Sequence, residues 1–432
     1  MLKKIEFERF KNFKKTYLDL GPFTLLIGGN ASGKSNIRDA LRFLHGVSRG
    51  YSFAEIMGEK YIEGGVLQWR GIRGGSREVA YLDAETFTIS VEFEIINSFP
   101  KAKGFFALQG RYTLEVNPGF NNSSPVVVRE SLYVGKKMVF DSDPDRNPLV
   151  QRDSQHIIVR IPAGGKYRKG HTESFIAYQP VLTQFIERVE EKRKDQAARE
   201  ALHFTKETIS AFNSIRFLDL DPDAMRVPSL PGQTILGDRG ENLSSVLHSI
   251  CEVKANKKAL VEWIRELTPM DAKDFEFIPD QTGKILVNLV EESGHVTSAY
   301  SASDGTLRFL AMIAALLGPK PAKLYFFEEI DNGLPPARLY LLLQLAERRA
   351  YEGEIQMVAT SHSPQLLRAL GERTINNASL VFRRSDSHEA GIKRIIDIPE
   401  IQEILKTQDL ARLHESGWFE DAMFYLDDTE AS

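Results

Sequence analysis

The chain has 432 residues, enough for a large core and two or three structural units. With 42% hydrophobic residues, 26% charged residues and a net charge of −4, it reads as an ordinary globular protein with no overall basic signal for nucleic acid. A lone cysteine, Cys251, excludes an internal disulfide framework and suits the cytoplasm, and the longest apolar run, 309–317, is about half what spans a bilayer, so no membrane segment is expected.

Residues 1–84 predict a first lobe. The opening stretch Met1-Leu2-Lys3-Lys4-Ile5-Glu6-Phe7-Glu8-Arg9 holds no apolar segment of signal-peptide length. Ile5, Phe7 and Phe10 start a strand pattern that Tyr17, Leu18 and Leu20 continue. Phe23-Thr24-Leu25-Leu26-Ile27 is a continuous apolar run, the mark of a strand buried on both faces. Glycines follow, and then Ile37, Ala40, Leu41, Phe43 and Leu44 recur at helical spacing.

Residues 85–177 predict an inserted antiparallel β-subdomain. Apolar and polar residues alternate, as in Phe87-Thr88-Ile89-Ser90-Val91-Glu92-Phe93, and turn clusters such as Asn117-Pro118-Gly119 separate the runs. Residues 178–214 predict a short helical arm, with charges such as Glu190, Glu191, Lys192 and Arg193 among Phe185, Val189 and Leu202. Residues 215–432 predict a second lobe that alternates helices and strands, with buried strands at 324–327 and 355–359. The fold class expected is α/β.

Four motifs carry chemistry. The first, Gly28-Gly29-Asn30-Ala31-Ser32-Gly33-Lys34-Ser35, fits G-x-x-x-x-G-K-[ST] between a strand and a helix. Its glycines let backbone N–H groups turn inward around phosphate oxygens, and the helix adds its positive end. Lys34 is placed to reach β and γ phosphates and Ser35 to hold Mg²⁺. With average glycine usage of about 7%, a chance match in such a chain is on the order of one in a hundred.

The second motif is the strand Leu324-Tyr325-Phe326-Phe327 ending in Glu328-Glu329. Carboxylates at the C-terminal end of a parallel strand face the ligand crevice, where one can hold Mg²⁺ and the other orient or deprotonate water. The third is Ala302-Ser303-Asp304-Gly305-Thr306, a polar turn entering an apolar helix; by itself it is an ordinary helix cap. The fourth is Thr360-Ser361-His362-Ser363, whose histidine can donate to a phosphate oxygen.

The order of these motifs resembles the ABC-type ATPases of the SMC and RecF branch. It is most similar to the AAA-type ATPases of the overcoming-lysogenisation-defect and RecF-like group. The resemblance rests on Phe10-Lys11-Asn12-Phe13 with the 25–36 segment, on Glu328-Glu329-Ile330-Asp331-Asn332-Gly333-Leu334-Pro335, and on Thr360 to Ser363. It covers residues 1–45 and about 240–370, and the middle only by its plan.

The resemblance implies an ABC-type head whose two copies stack face to face around two ATP molecules. Gly28, Gly29, Asn30, Ala31, Ser32, Gly33, Lys34, Ser35 and Asn36 of one chain bind each ATP. The Ser303-Asp304-Gly305 turn of the other chain closes over the γ-phosphate. Glu329 polarises the attacking water, His362 contacts the γ-phosphate, and Ser35 with Glu328 holds Mg²⁺. Glu328 stands where the pattern has an aspartate, and Asp304 and Thr306 replace a glycine and a glutamine. Gln68 is the one candidate for the glutamine loop and reads equally well as an ordinary loop residue.

Only 70 residues follow His362, so no nuclease domain is expected. Asp219, Asp221 and Asp223 read as a loop, with a metal site as the alternative. Basic clusters at 166–169 and 192–194 could touch DNA phosphates; the second, interleaved with glutamates, reads better as a solvated helix face. The aromatic tail around Trp418 and Phe419 is expected to dock on the chain's own core. The function expected is an ATP-hydrolysing switch in bacterial anti-phage defence or genome maintenance, working as a homo-oligomer with a separately encoded effector. A RecF-like clamp on duplex DNA is the alternative, and a scaffold that barely hydrolyses ATP is a third reading.

Overall fold

The run 23–27 lies where its composition predicts, inside a sheet covered on both sides. The computed structural model describes residues 1–97, 106–119, 123–142, 155–162, 171–192, 196–267, 272–384, 387–419 and 421–423. A six-stranded sheet has the order Ile215–Leu218, Leu324–Phe327, Gln356–Ser361, Phe23–Ile27, Ser379–Arg383, Ala390–Arg394. Its neighbours pair in parallel except the last two, which are antiparallel. Phe23, Leu25 and Ile27 face one core, which they share with the helices Asp304–Leu317 and Pro336–Tyr351. Leu26 faces a second core, shared with the helix Lys34–Ser48. Burial on both faces is why this strand shows no alternation. The helix Lys34–Ser48 buries Ile37, Ala40, Leu41, Phe43, Leu44 and Val47. At about 1.5–3 kcal/mol for each large side chain, that anchors the loop before it firmly.

The other large sheet is antiparallel and eight-stranded. Its order is His171–Ile176, His156–Ile161, Lys137–Asp141, Val126–Val134, Phe106–Asn117, Phe87–Asn97, Leu2–Phe10, Phe13–Asp19. The strands of the inserted stretch are therefore continuous with the first two strands of the chain, through the pairing of Leu2–Phe10 with Phe87–Asn97. One face buries Ile5, Phe7, Phe87, Ile89 and Val91 in the second core. The opposite face is polar, as the alternation predicts.

The short helical arm is a hairpin of Val181–Lys192 and Gln196–Asn213 laid on this core. Leu182, Phe185, Val189, Ala198, Ala201, Phe204 and Phe212 are buried in it. Its entry is fixed by Glu130, whose carboxylate accepts the N–H groups of Val181 and Leu182, both at 2.7 Å, and the Tyr112 hydroxyl at 2.9 Å. Burial pushes the Glu130 carboxyl up to about 7, against these hydrogen bonds. A small three-stranded sheet, Ala272–Pro279, Ile285–Glu291 and Val296–Ser298, precedes the 303–306 turn. Phe419 is fully buried, with Trp418 packed edge-on at 5.6 Å, so the aromatic tail docks on its own core. The basic cluster at 166–169, and Arg193 and Lys194, lie outside the described residues. Among the described residues no helix is long and apolar enough to cross a membrane.

Candidate active site

Three neighbouring parallel strands each hand over to one predicted motif. Phe23–Ile27 leads to the glycine loop, Leu324–Phe327 to Glu328 and Glu329, and Gln356–Ser361 to His362. Ser361 pairs with Ile27 and Phe327 with Ala359, so the three C-terminal ends lie within two residues of one another. That edge is where a parallel sheet opens its ligand crevice. A cavity of about 360 Å³ lies there, lined by residues 30–36 with Arg73, Glu328, Glu329, Thr360 and His362.

The loop geometry requires its glycines. Gly28 has φ +153°, and a Cβ there would lie 2.0 Å from the Val381 carbonyl oxygen. Gly33 has φ +117° and N-caps the helix Lys34–Ser48. The Lys34 ammonium donates to the carbonyls of Gly28 at 2.7 Å and Gly29 at 2.8 Å. The Ser32 hydroxyl is buried with no hydrogen-bond partner among the described residues, a donor held ready for a ligand oxygen. Asn36 donates to the Asn12 side chain at 2.6 Å, latching the 10–13 turn onto the loop's helix.

Burial pushes the Lys34 ammonium down to about 8, while the Glu329 charge pulls it back up. A bound polyphosphate favours the charged form. Above pH 8 binding must restore a proton, so affinity for ATP is expected to fall with rising pH, approaching about tenfold per unit. Titration of the protein with a fluorescent ATP analogue between pH 7 and 9.5 checks this. A flat wild-type profile, indistinguishable from that of Lys34→Met, contradicts it.

Ser35 donates to Glu328 Oε1 at 3.4 Å. A hydroxyl and a carboxylate so placed are the oxygen donors that Mg²⁺ takes beside phosphate and water, so the residues present fit that ion. Glu328 Oε2 also meets Arg38 Nε at 3.2 Å, which steadies the longer side chain where the resembled pattern has an aspartate.

Glu329 is exposed and sits at φ 49°, the left-handed region, at a cost of about 1–2 kcal/mol for a residue other than glycine. Its N–H donates to the Thr360 hydroxyl at 2.9 Å, and its carboxylate accepts from Asn332 Nδ2 at 3.3 Å. The strained backbone is thus held by the neighbouring strand, and the side chain by the residue's own turn. Burial, aided by the Lys34 charge, holds the His362 imidazolium below its ordinary range, with Glu329 and Asp331 opposing. At neutral pH the ring is mainly the neutral tautomer, a one-proton donor.

Ser303, Asp304 and Gly305 do not line this cavity. Ser303 N-caps the helix Asp304–Leu317, accepting from the Thr306 N–H at 3.2 Å. Gly305 packs so tightly on the turn after Glu329 that a Cβ would lie 2.5 Å from the Gly333 carbonyl oxygen. Arg226 holds Asp304 at 2.7 Å and the Ala302 carbonyl at 3.0 Å. Two aspartates of the 219–223 stretch are engaged in ion pairs beside this turn. Asp221 N-caps Pro222–Met225 and pairs with Arg239, and Asp223 pairs with Arg226 at 3.0 Å. Gln68 is exposed on the strand Val66–Arg70 and does not line the cavity. The cavity adds one residue that motif reading missed, Arg73, and brings in Thr360, which the histidine motif contains but to which no role was given. Only the run Gly71-Ile72-Arg73-Gly74-Gly75, an arginine isolated among glycines, signals the first.

The sequence profile of the family described as "AAA domain, putative AbiEii toxin, Type IV TA system" matches residues 23–98 and 136–368. The chain is 35% identical over 134 residues to structural maintenance of chromosomes protein 1 of Caenorhabditis elegans, covering 24% of this chain and 10% of that protein. It is 54% identical over 46 residues to the chromosome partition protein Smc of Methanocaldococcus jannaschii, covering 10% of this chain and 4% of that protein. The chain thus spans a tenth or less of the length of these relatives. A solved Smc head bound to the C-terminal winged-helix domain of ScpA aligns at 17% identity with a TM-score of 0.49, over 91% of this chain and 97% of that one.

Proposed function

Because the chain belongs to this family of AAA domains and is an ATPase of the SMC-like type, we propose that it is a switch closed by two copies of itself around ATP. The observation that carries this reading is the placement of the Ser303 turn. It is fully formed as a helix N-terminus, a ready anion site, yet it lies outside the chain's own phosphate cavity. A second copy supplies it.

In this reading Lys34 exchanges the Gly28 and Gly29 carbonyls for β and γ phosphate oxygens. Ser35 and Glu328 would hold Mg²⁺, which would supply charge neutralisation at those oxygens. Glu329 orients the attacking water and takes its proton. Neutral His362 donates a hydrogen bond to the γ-phosphate, and Arg73 offers its guanidinium to the same group.

Two inactive variants test the sandwich. Lys34→Ala keeps an intact Ser303 turn, and Ser303→Arg keeps an intact phosphate loop. Mixed in equal amounts, they are expected to recover roughly a quarter of wild-type turnover, because half the dimers then hold one complete site. No recovery in a mixture shown to exchange subunits rules the shared site out.

We assign the switch to bacterial anti-phage defence with a separately encoded effector, a reading supported by the toxin named in the family description. A RecF-like clamp on duplex DNA is the second reading, supported by the chromosomal roles named for the two relatives. ATP-dependent duplex binding that weakens steeply with salt favours the second, and its absence the first.

A further inference from the structure

We propose that Asp39 is a positioning residue for hydrolysis, a buried carboxylate that grips Arg73 by Nε and so presents the rest of its guanidinium to the γ-phosphate. This rests on the reading that the glycine loop holds ATP.

Asp39 lies one helical turn beyond Ser35, on the same face of the helix Lys34–Ser48. It is 1% exposed. Its Oδ2 meets Arg73 Nε at 3.3 Å and Lys11 Nζ at 3.6 Å, while Oδ1 is buried with no hydrogen-bond partner among the described residues. A carboxylate so deeply buried persists only when paired, and here the pair consists of two cations from separate loops. Lys11 closes the triangle, since its ammonium also donates to the Arg73 carbonyl.

Packing alone does not explain this arrangement. Lys11 sits in the left-handed region at φ 55°, and its neighbour Asn12 is latched to Asn36 of the phosphate-loop helix. Arg73 stands in a loop with Gly71, Gly74 and Gly75, the last two at φ 71° and 55°. Such a loop cannot orient a long side chain by its own packing. The Arg73 side chain is 52% exposed and lines the phosphate cavity. It also lines a second cavity of about 570 Å³ beside it, with Lys11, Asn12 and Asn36. A guanidinium carries five N–H donors in a planar fork suited to phosphate. Asp39 occupies the Nε side and leaves the two terminal NH₂ groups for the ligand. The carboxylate is thus fixed to the helix that carries Lys34 and Ser35, and it sets the arginine relative to both.

A double-mutant cycle on the full chain tests this, with Asp39→Asn, Arg73→Ala and the pair, read as kcat and as Kd for a non-hydrolysable ATP analogue. Asp39→Asn is expected to lower kcat by about tenfold, with Kd changed less than about threefold, as a misplaced group does. The double variant is expected to be no slower than Arg73→Ala alone, and Asp39→Glu to recover part of the loss. Effects that multiply, or a change in Kd with kcat intact, overturn the proposal. If Asp39→Asn does not fold, the same comparison is made in a Lys11→Met background, which leaves no unpaired buried ammonium. Analogue binding that survives Lys34→Ala overturns the phosphate-loop reading, and this inference with it. Binding that depends on Lys34 while the cycle is multiplicative overturns the inference alone.

Discussion

Replacing Glu329 with glutamine is expected to lower steady-state ATP hydrolysis by roughly 10²–10⁴-fold while ATP still binds. The substitution keeps the side chain's size and the acceptor oxygen that meets Asn332, and it leaves the backbone hydrogen bond to Thr360 untouched. What it removes is the negative charge, and with it the base proposed to take a proton from water. The backbone at Glu329 is already strained, and Thr360 on the neighbouring strand holds it there, so the carboxylate is pre-placed and does not search for its position. The closed dimer is then expected to accumulate, because opening follows hydrolysis. Phosphate release and size-exclusion chromatography in ATP measure the two effects. Equal rates for the wild type and the variant would remove Glu329 from the chemistry and leave the scaffold reading standing.

Lys34→Ala is expected to raise the Kd for ATP about 10²-fold, equivalent to roughly 2–3 kcal/mol for removing a charge-assisted hydrogen bond from a partly buried site. Turnover is expected to fall with it, because the same ammonium is proposed to neutralise the γ-phosphate. Thermal stability without ligand is expected to change little. The variant leaves two carbonyls unpaired, but it also removes an ammonium whose burial already drives it down to about 8. Isothermal titration with ATP and Mg²⁺ decides the point, and a Kd within about threefold of wild type is incompatible with the assignment. The two variants therefore separate binding from chemistry: one is expected to bind without turning over, the other to lose both.

The parts of this site that were legible in the sequence are those written as contiguous runs. The glycine loop, the acid pair and the histidine loop each follow a strand whose apolar run announces burial on both faces. Their meeting follows from three parallel neighbours ending together. Arg73 and Asp39 were not legible, because their meaning comes from a glycine loop folding across a helix, and no periodicity records that. The continuity between the first two strands and the inserted strands was likewise hidden, since the pairing of Ile5 with Val91 is a long-range choice. The alternation over 126–134 announces a strand but cannot say that Glu130 ends up sealed beneath a helix. The Arg38 contact that steadies Glu328 was invisible for the same reason.

The bond between Ser35 and Glu328 joins residues 293 positions apart. Closing so long a loop is entropically slow work, and topologies dominated by distant pairings fold late and slowly. The proposed catalytic centre is therefore complete only once the second lobe has been made and has placed its strands beside Phe23–Ile27. In the proposed reading ATP and Mg²⁺ span both halves, and they would then act as a clasp on the finished molecule. At a hundred times its Kd such a ligand adds about 2.7 kcal/mol to stability. Cellular nucleotide level thus bears on how much of this protein survives as folded material, apart from how fast it turns over.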